Sequence, residues 1–307
     1  MIVYAFRRVL SAIPIVLIAI TACFFILRLA PGGPFDGDRA LPPITLQNLR
    51  AHYNLDQPLW NQYLIYVGRL LQGDLGPSMV YNDFTVSEII AIGLPFTLML
   101  GFSAFIIATA VGLIAGSLAA LNQNRWPDYL LVAVVMVGLV IPNFLMGSLL
   151  QLIFGVYLKW VPAGGYRAGQ LINLVLPITV LALPHAGRIA RLMRGSMIEV
   201  LGTNYIRTAR SKGIGARLTV IRHALKPALI PVVSYLGPGL SYLLTGSLVV
   251  EQIFALPGIG KYFITAALNR DYGLVLGTTI LYLFIILLLN LLVDLIYAWL
   301  DPKVRYR

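Results

Sequence analysis

Covalent chemistry needs a nucleophile with its base, a pair of carboxylates, or a cluster of metal ligands at recognisable spacing. The three histidines, His52, His185 and His223, lie far apart, and the single cysteine, Cys23, rules out an internal disulfide and a cysteine-based metal site. A phosphate-cradling loop is also missing: Gly258-Ile259-Gly260-Lys261 is followed by Tyr262 and lacks the upstream glycine. No catalytic residue, metal ligand or cofactor of its own is therefore expected, and any ATP that serves this chain is hydrolysed elsewhere. What stands out instead are polar groups set in apolar sequence, because a charge at the centre of a bilayer costs about 2.5–3.5 kcal/mol even on insertion scales. Arg28 and Asp294 fall near the ends of apolar runs, from which a side chain can reach the interface. Asn290 is a candidate for bridging helices or lining a path, and Glu251 for capping a turn or touching a substrate. Intramembrane acids this sparse argue against a proton-coupled carrier.

The elements that carry these residues follow from composition. With 59% hydrophobic residues, 11% charged residues and a mean hydropathy of +0.83, a chain of 307 residues has too little polar surface for a water-soluble globule. A spanning helix needs about 20 mostly apolar residues. Val9–Ala30, Leu94–Leu121, Tyr129–Leu158, Ala228–Val250 and Leu274–Leu300 meet that requirement, and Leu171–Gly187, interrupted by Asn173, Pro177, Pro184 and His185, is weaker. Charge resolves the weaker window. Arg188, Arg191, Arg194, Arg207, Arg210, Lys212, Arg217, Arg222 and Lys226 crowd into one loop, which six spans place on the same side as Arg7, Arg8, Lys303, Arg305 and Arg307. The positive-inside rule then predicts an all-α membrane protein of six transmembrane helices with both termini cytoplasmic. The net charge of +11 is accounted for by this one-sided excess, so membrane lipid is an expected partner and nucleic acid is not. Ile20-Thr21-Ala22-Cys23 resembles a lipoprotein cleavage box, but the apolar run continues through Phe24, Phe25, Ile26 and Leu27, which predicts an uncleaved first span.

Four parts are expected in chain order: residues 1–30 as a cytoplasmic N-terminus and first span, 31–93 as an extracytoplasmic segment, 94–300 as a five-helix core, and 301–307 as a cytoplasmic tail. Within 31–93, Asp56 and Pro58 favour a helix start, Trp60, Leu64, Val67 and Leu71 make an apolar stripe, and Gly73 is a stop. This amphipathic helix is expected to pack on the ends of the spans or to lie in the interface. Within 94–300, the basic loop 185–226 has its own punctuation. Ile189, Leu192, Met193 and Met197 extend the fourth span, and Gly202 interrupts it. Thr203 and Asn204 can cap a helix over Tyr205–Lys212 that ends at Gly213. A helix of two turns is marginal alone in water, so its own bundle or a partner must hold it.

At these residues the chain resembles a known family. Tyr205-Ile206-Arg207-Thr208-Ala209-Arg210-Ser211-Lys212-Gly213, with Arg222-His223-Ala224-Leu225-Lys226-Pro227-Ala228 after it, is similar to the signature of permeases of ABC importers, in the branch that handles peptides and nickel. The general pattern is Glu-Ala-Ala, three residues, then Gly; Arg207 and Thr208 replace the first two, as in the peptide branch, while Ala209 and Gly213 match. Arg28-Leu29-Ala30-Pro31-Gly32-Gly33-Pro34 and Glu251-Gln252-Ile253-Phe254-Ala255-Leu256-Pro257-Gly258-Ile259-Gly260 resemble the B-type permease of oligopeptide and dipeptide importers.

The resemblance implies the type I ABC-importer permease fold in a bacterial inner membrane. It implies a homologous second permease, two ATPase subunits that bind ATP and Mg, and an extracytoplasmic peptide-binding protein. It further implies that Tyr205, Arg207, Thr208, Ala209, Arg210, Lys212 and Gly213 form the element that couples the ATPase to the spans. Nickel chelates and glutathione are alternative cargoes within the class, and a stand-alone secondary carrier is the rival outside it.

Overall fold

Backbone groups in lipid have no water to bond, so an apolar chain must close its hydrogen bonds locally. Accordingly, the regular structure among the described residues of the computed structural model is helical, with turns between the helices and one isolated bridge between Pro77 and Thr85. The structure describes residues 2–35, 42–81, 83–167 and 169–300, with side chains from residue 10 to residue 292. The helices are α1 (Ile2–Leu29), α2 (Pro43–His52), α3 (Leu59–Leu71), α4 (Val86–Leu121), α5 (Trp126–Val140), α6 (Asn143–Leu150) and α7 (Val175–Leu201). They continue with α8 (Asn204–Ser211), α9 (Ala216–Thr219), α10 (Leu225–Ala228), α11 (Ile230–Ile253), α12 (Ile259–Leu268) and α13 (Tyr272–Leu300). Among the described residues 5 helices are long and apolar enough to span a membrane, or 6 if a bent pair counts as one span.

The window over Tyr129–Leu158, long enough for one span, folds as that bent pair. Here α5 and the helix beginning at Asn143 meet at 107°. The cause is Pro142, whose ring disfavours helical backbone in the residue before it. Ile141 is accordingly extended, at φ −85 and ψ 124. The second arm ends in a π-helical turn, Gln151–Tyr157, and the Gln151 amide donates to the Ala163 carbonyl at 2.6 Å. The weak fourth window, by contrast, is one continuous helix. A 3₁₀ turn at Leu171–Leu174 leads into α7, which carries the span and then the basic extension as far as Leu201.

The contacts gather the chain into two units, one of residues 1–96 and 257–291, the other of residues 97–256 and 292–307. In the second unit α5 runs against α7 at backbone contact. A Cβ on Gly187 would stand 2.4 Å from the Val135 carbonyl oxygen, and one on Gly138 would stand 2.7 Å from the Leu183 carbonyl carbon. Small residues permit this approach where lipid supplies no hydrophobic drive for helix association. Gly187→Leu is therefore expected to force the pair apart and sharply reduce the monodisperse fraction recovered in mild detergent. Wild-type recovery on size-exclusion chromatography would contradict this packing.

In the first unit α3 lies on α1 by the face opposite its apolar stripe. Trp60, Leu64 and Leu71 are exposed, and the opposite face makes the contact. The Tyr63 hydroxyl bonds the Thr21 hydroxyl at 2.7 Å, and the Tyr66 ring stacks on Phe24 at 5.7 Å. Tyr suits this contact because it presents an apolar body with a polar tip, whereas an all-apolar stripe can stay in contact with lipid. At the end of α1 the Arg28 guanidinium lies against the rings of Phe24 at 5.0 Å and Tyr272 at 4.8 Å, where aromatic faces attract a cation.

A fully buried carboxylate organises the turn before α13. Asp271 caps that helix by accepting from the Leu274 N–H at 3.0 Å. It also accepts from Ser78 Oγ at 2.5 Å and from the N–H groups of Met79 at 2.9 Å and Val80 at 3.1 Å. One side chain thereby fixes the 76–80 segment to the start of α13.

Candidate functional site

The short helix of the basic loop exists as α8, and its end follows the sequence closely. Ile214 N–H donates to the Ala209 carbonyl at 3.2 Å and Gly213 N–H to the Arg210 carbonyl at 2.9 Å. With Gly213 at φ +78, this is a Schellman closure, which requires the left-handed backbone that glycine adopts without penalty. Its start is different from expectation. Thr203 has the extended backbone of a cap, φ −71 and ψ 155, yet makes no side-chain cap bond. Its hydroxyl turns back to donate to the Val200 carbonyl at 2.6 Å, so it closes the end of α7 instead.

The bundle of the second unit seats α8. Ile206 is fully buried in a cluster with Met193, Met197, Val200, Ala224 and Val232, and Ala209 is buried beside it. This apolar anchor supplies what a two-turn helix lacks alone. The remaining side chains turn outward: Tyr205, Arg207, Thr208, Arg210 and Lys212 are exposed, as is Gly213. Arg207, Arg210 and Lys212 have no acidic neighbour within α8, and among the described residues none of them forms an ion pair. The result is a small cationic face, ending in a glycine whose added Cβ would meet nothing within 4 Å. Chemically this face can receive carboxylates or carbonyls; it holds no group suited to catalysis. Among the described residues no metal-binding group of His, Cys, Asp or Glu occurs.

The piece that follows is less regular than a simple amphipathic helix. α9 passes into a π-helical stretch, Val220–Ala224, before α10, and Leu218 and Ile221 are exposed while Leu225 packs on the cluster that holds Ile206.

Sequence reasoning missed the bond that ties α7 to the start of α5. Arg194 donates to both oxygens of Asp128, at 2.6 Å from Nε and 2.7 Å from Nη2, and Asp128 is 1% exposed. Asp128 also accepts from the Asn124 N–H at 3.0 Å. Nothing local marks partners so far apart in the chain. Removing the charge from one member of such a pair strands the other. Asp128→Asn is expected to lower stability by about 2 kcal/mol, less than the roughly 3–5 of a fully buried pair, because Arg194 is 30% exposed. Thermal unfolding of the purified chain in detergent checks this, and an unchanged midpoint would contradict it. A second unforeseen contact joins α7 to α11, where His185 Nδ1 bonds the Tyr235 hydroxyl at 2.7 Å and Arg188 stands over the same ring at 5.7 Å.

The other flagged residues are dispersed. Glu251 is fully buried on α11 in the second unit and accepts from Ser247 Oγ at 3.0 Å. Asn290 is half-buried on α13 in the first unit. The side chain of Asp294 lies outside the described residues.

Residues 112–306 match the family described as the binding-protein-dependent transport system inner membrane component, and the chain belongs to that family. Its relatives in that family extend over its whole length. It is 50% identical over 307 residues to the oligopeptide transport system permease protein OppB of Salmonella typhimurium, covering 100% of both chains. It is 48% identical, again over 100% of both, to OppB of Haemophilus influenzae. The dipeptide transport system permease protein DppB of Bacillus subtilis is 39% identical, with 98% of this chain and 97% of that one covered.

Among solved structures, the inward-facing MetNI methionine ABC transporter matches with a TM-score of 0.56 at 19% identity, over 70% of this chain and 97% of that one. An amino acid ABC transporter solved with histidines matches with a TM-score of 0.54 at 18% identity, over 68% and 93%. The fold is thus the type I importer fold, and the chain is a transport subunit that spans the membrane.

Proposed function

We propose that this chain is one of two homologous permease subunits of an ATP-driven importer in a bacterial inner membrane, with both termini cytoplasmic. Its cargo is peptide, handed over by an extracytoplasmic binding protein. Full-length identity of 50% to an oligopeptide permease is the observation that carries this reading. Two partner ATPase subunits bind ATP and Mg, and α8 meets them. Tyr205, Arg207, Thr208, Arg210 and Lys212 provide the outward face, Ala209 and Ile206 hold it to the bundle, and Gly213 leaves room at its end. A helix anchored by buried apolar groups moves with α7, so closure of the ATPase pair is transmitted to the spans without chemistry in this chain. Glu251, Asn290 and Asp294 serve to bridge helices or line the path.

Isolation of the tagged chain in mild detergent, with mass spectrometry of what accompanies it, tests the proposal. A second permease, two ATPase chains and retained peptide are expected. A chain that purifies alone, and alone moves peptide across reconstituted vesicles, would overturn it.

A further inference from the structure

The second unit contains a cavity of about 280 Å³ between α4, α5 and α7. Ala115 and Ala119 on α4 and Leu131, Val132, Val135 and Met136 on α5 give it apolar walls. On α7, Gly187, Arg191, Arg194 and Gly195 recur at the spacing of one helical face, turned away from the Ile189, Met193 and Met197 that enter the core. Polarity changes along the length of the cavity. α5 runs antiparallel to α7, with Asp128 bonded to Arg194 at one end and the Val135 carbonyl against Gly187 at the other. Gly195 and Gly187 are about 12 Å apart along the helix axis, so two guanidinium groups mark the end toward the basic loop and only apolar side chains mark the far end. Arg194 gives Nε and Nη2 to Asp128, which leaves the donors of Nη1. Arg191 is exposed, and among the described residues it forms no ion pair. Gly195 keeps the mouth open, since an added Cβ would meet nothing within 4 Å.

We infer that this cavity seats one phospholipid from the leaflet on the side of the basic loop, with its phosphate on Arg191 and Nη1 of Arg194 and an acyl chain along Leu131, Val132 and Met136. Guanidinium donors suit phosphate oxygens, and the walls beyond them suit a hydrocarbon. Ordered water does not, because each molecule needs about two to four polar partners and the far end offers none. A partner helix, about 10 Å across, is too wide to enter. Only the membrane-spanning character of the chain is required, not the nature of its cargo.

The test takes the tagged chain, with whatever accompanies it, from membranes into mild detergent and strips it of lipid. Native mass spectrometry then follows the rebinding of dioleoylphosphatidylglycerol and of dioleoylglycerol, which has the same tails and no phosphate. Wild type is expected to retain one phospholipid about tenfold or more over dioleoylglycerol, as for charge-assisted hydrogen bonds. Arg191→Gln should cut that preference several-fold. Gly195→Leu should lose the retained phospholipid, because a helical side chain leans toward the N-terminus and so into the cavity. Its unfolding midpoint without lipid should not fall, since leucine suits a helix better than glycine and its Cβ is unopposed. Added phospholipid should raise the midpoint of wild type and leave that of Gly195→Leu unmoved. If Arg191→Gln fails to fold, Gly195→Leu decides. Phospholipid retained equally by wild type and both variants would overturn the site. So would inorganic phosphate that displaces the phospholipid as well as a second phospholipid does, since the tails then contribute nothing. Release of an accompanying protein by Gly195→Leu with lipid retention unchanged would also overturn it, because the occupant is then a protein side chain.

Discussion

Gly213→Trp is expected to leave the chain inserted and assembled while peptide uptake falls by an order of magnitude or more and ATP hydrolysis continues uncoupled. Two effects of the substitution separate cleanly. Any side chain at φ +78 carries a backbone cost of about 1 kcal/mol, and that cost is common to Gly213→Ala and Gly213→Trp. The Cβ itself meets no atom of this chain within 4 Å, so Gly213→Ala carries the backbone cost without a clash. A larger loss of uptake in Gly213→Trp, with the unfolding midpoint of the isolated chain equal to that of Gly213→Ala, therefore reports a surface outside the chain. Uptake by reconstituted vesicles, with phosphate release measured in parallel, is the readout; equal uptake by the two variants would show that nothing approaches Gly213.

The second large effect concerns stability. Asp271→Ala removes the acceptor of four donors at once, the Ser78 hydroxyl and the N–H groups of Met79, Val80 and Leu274. Each donor left unsatisfied in a buried site costs about 1–3 kcal/mol. Even at the low end, with partial relief by water at the half-exposed members, the loss is about 3 kcal/mol, a large share of the roughly 5–15 kcal/mol that holds a domain together. The variant should unfold at a clearly lower temperature in detergent, and proteases should cut the 76–81 segment first. Asp271→Asn keeps one acceptor oxygen and should fall between. A wild-type midpoint for Asp271→Ala would show that Ser78 and its neighbours find other partners.

The sequence carried the features that depend on local rules. Apolar run length marks the spans, the left-handed glycine at 213 ends α8, and the interleaved Ile and Met residues continue α7 into the basic loop. Residues that resembled a family signature also led to the family that the chain matches. What escaped depended on geometry between distant residues. Pro142 could have curved a span or broken it, and only packing decides that the bend reaches 107°. The Thr203 hydroxyl could accept from a helix N–H as a cap or donate to the carbonyl behind it, and it donates to Val200. The stripe of Trp60 and Leu64 left two placements open, on the ends of the spans or in the interface; it is exposed, and Tyr63 and Tyr66 make the contact with α1. Asp128 with Arg194, and Asp271 with Ser78, are pairs that no spacing announces.

The account rests most heavily on α8 as the place where an ATPase subunit meets this chain. Single cysteines at its outward positions, Arg207→Cys and Arg210→Cys in a Cys23→Ser background, can be treated in the assembled transporter with a short heterobifunctional reagent that joins the thiol through a maleimide to lysine amines of the partner through a succinimidyl ester. The account predicts a cross-linked product containing this chain and an ATPase subunit, with a yield that changes when ATP is bound. No product from either position, in a complex that still imports peptide, would contradict it.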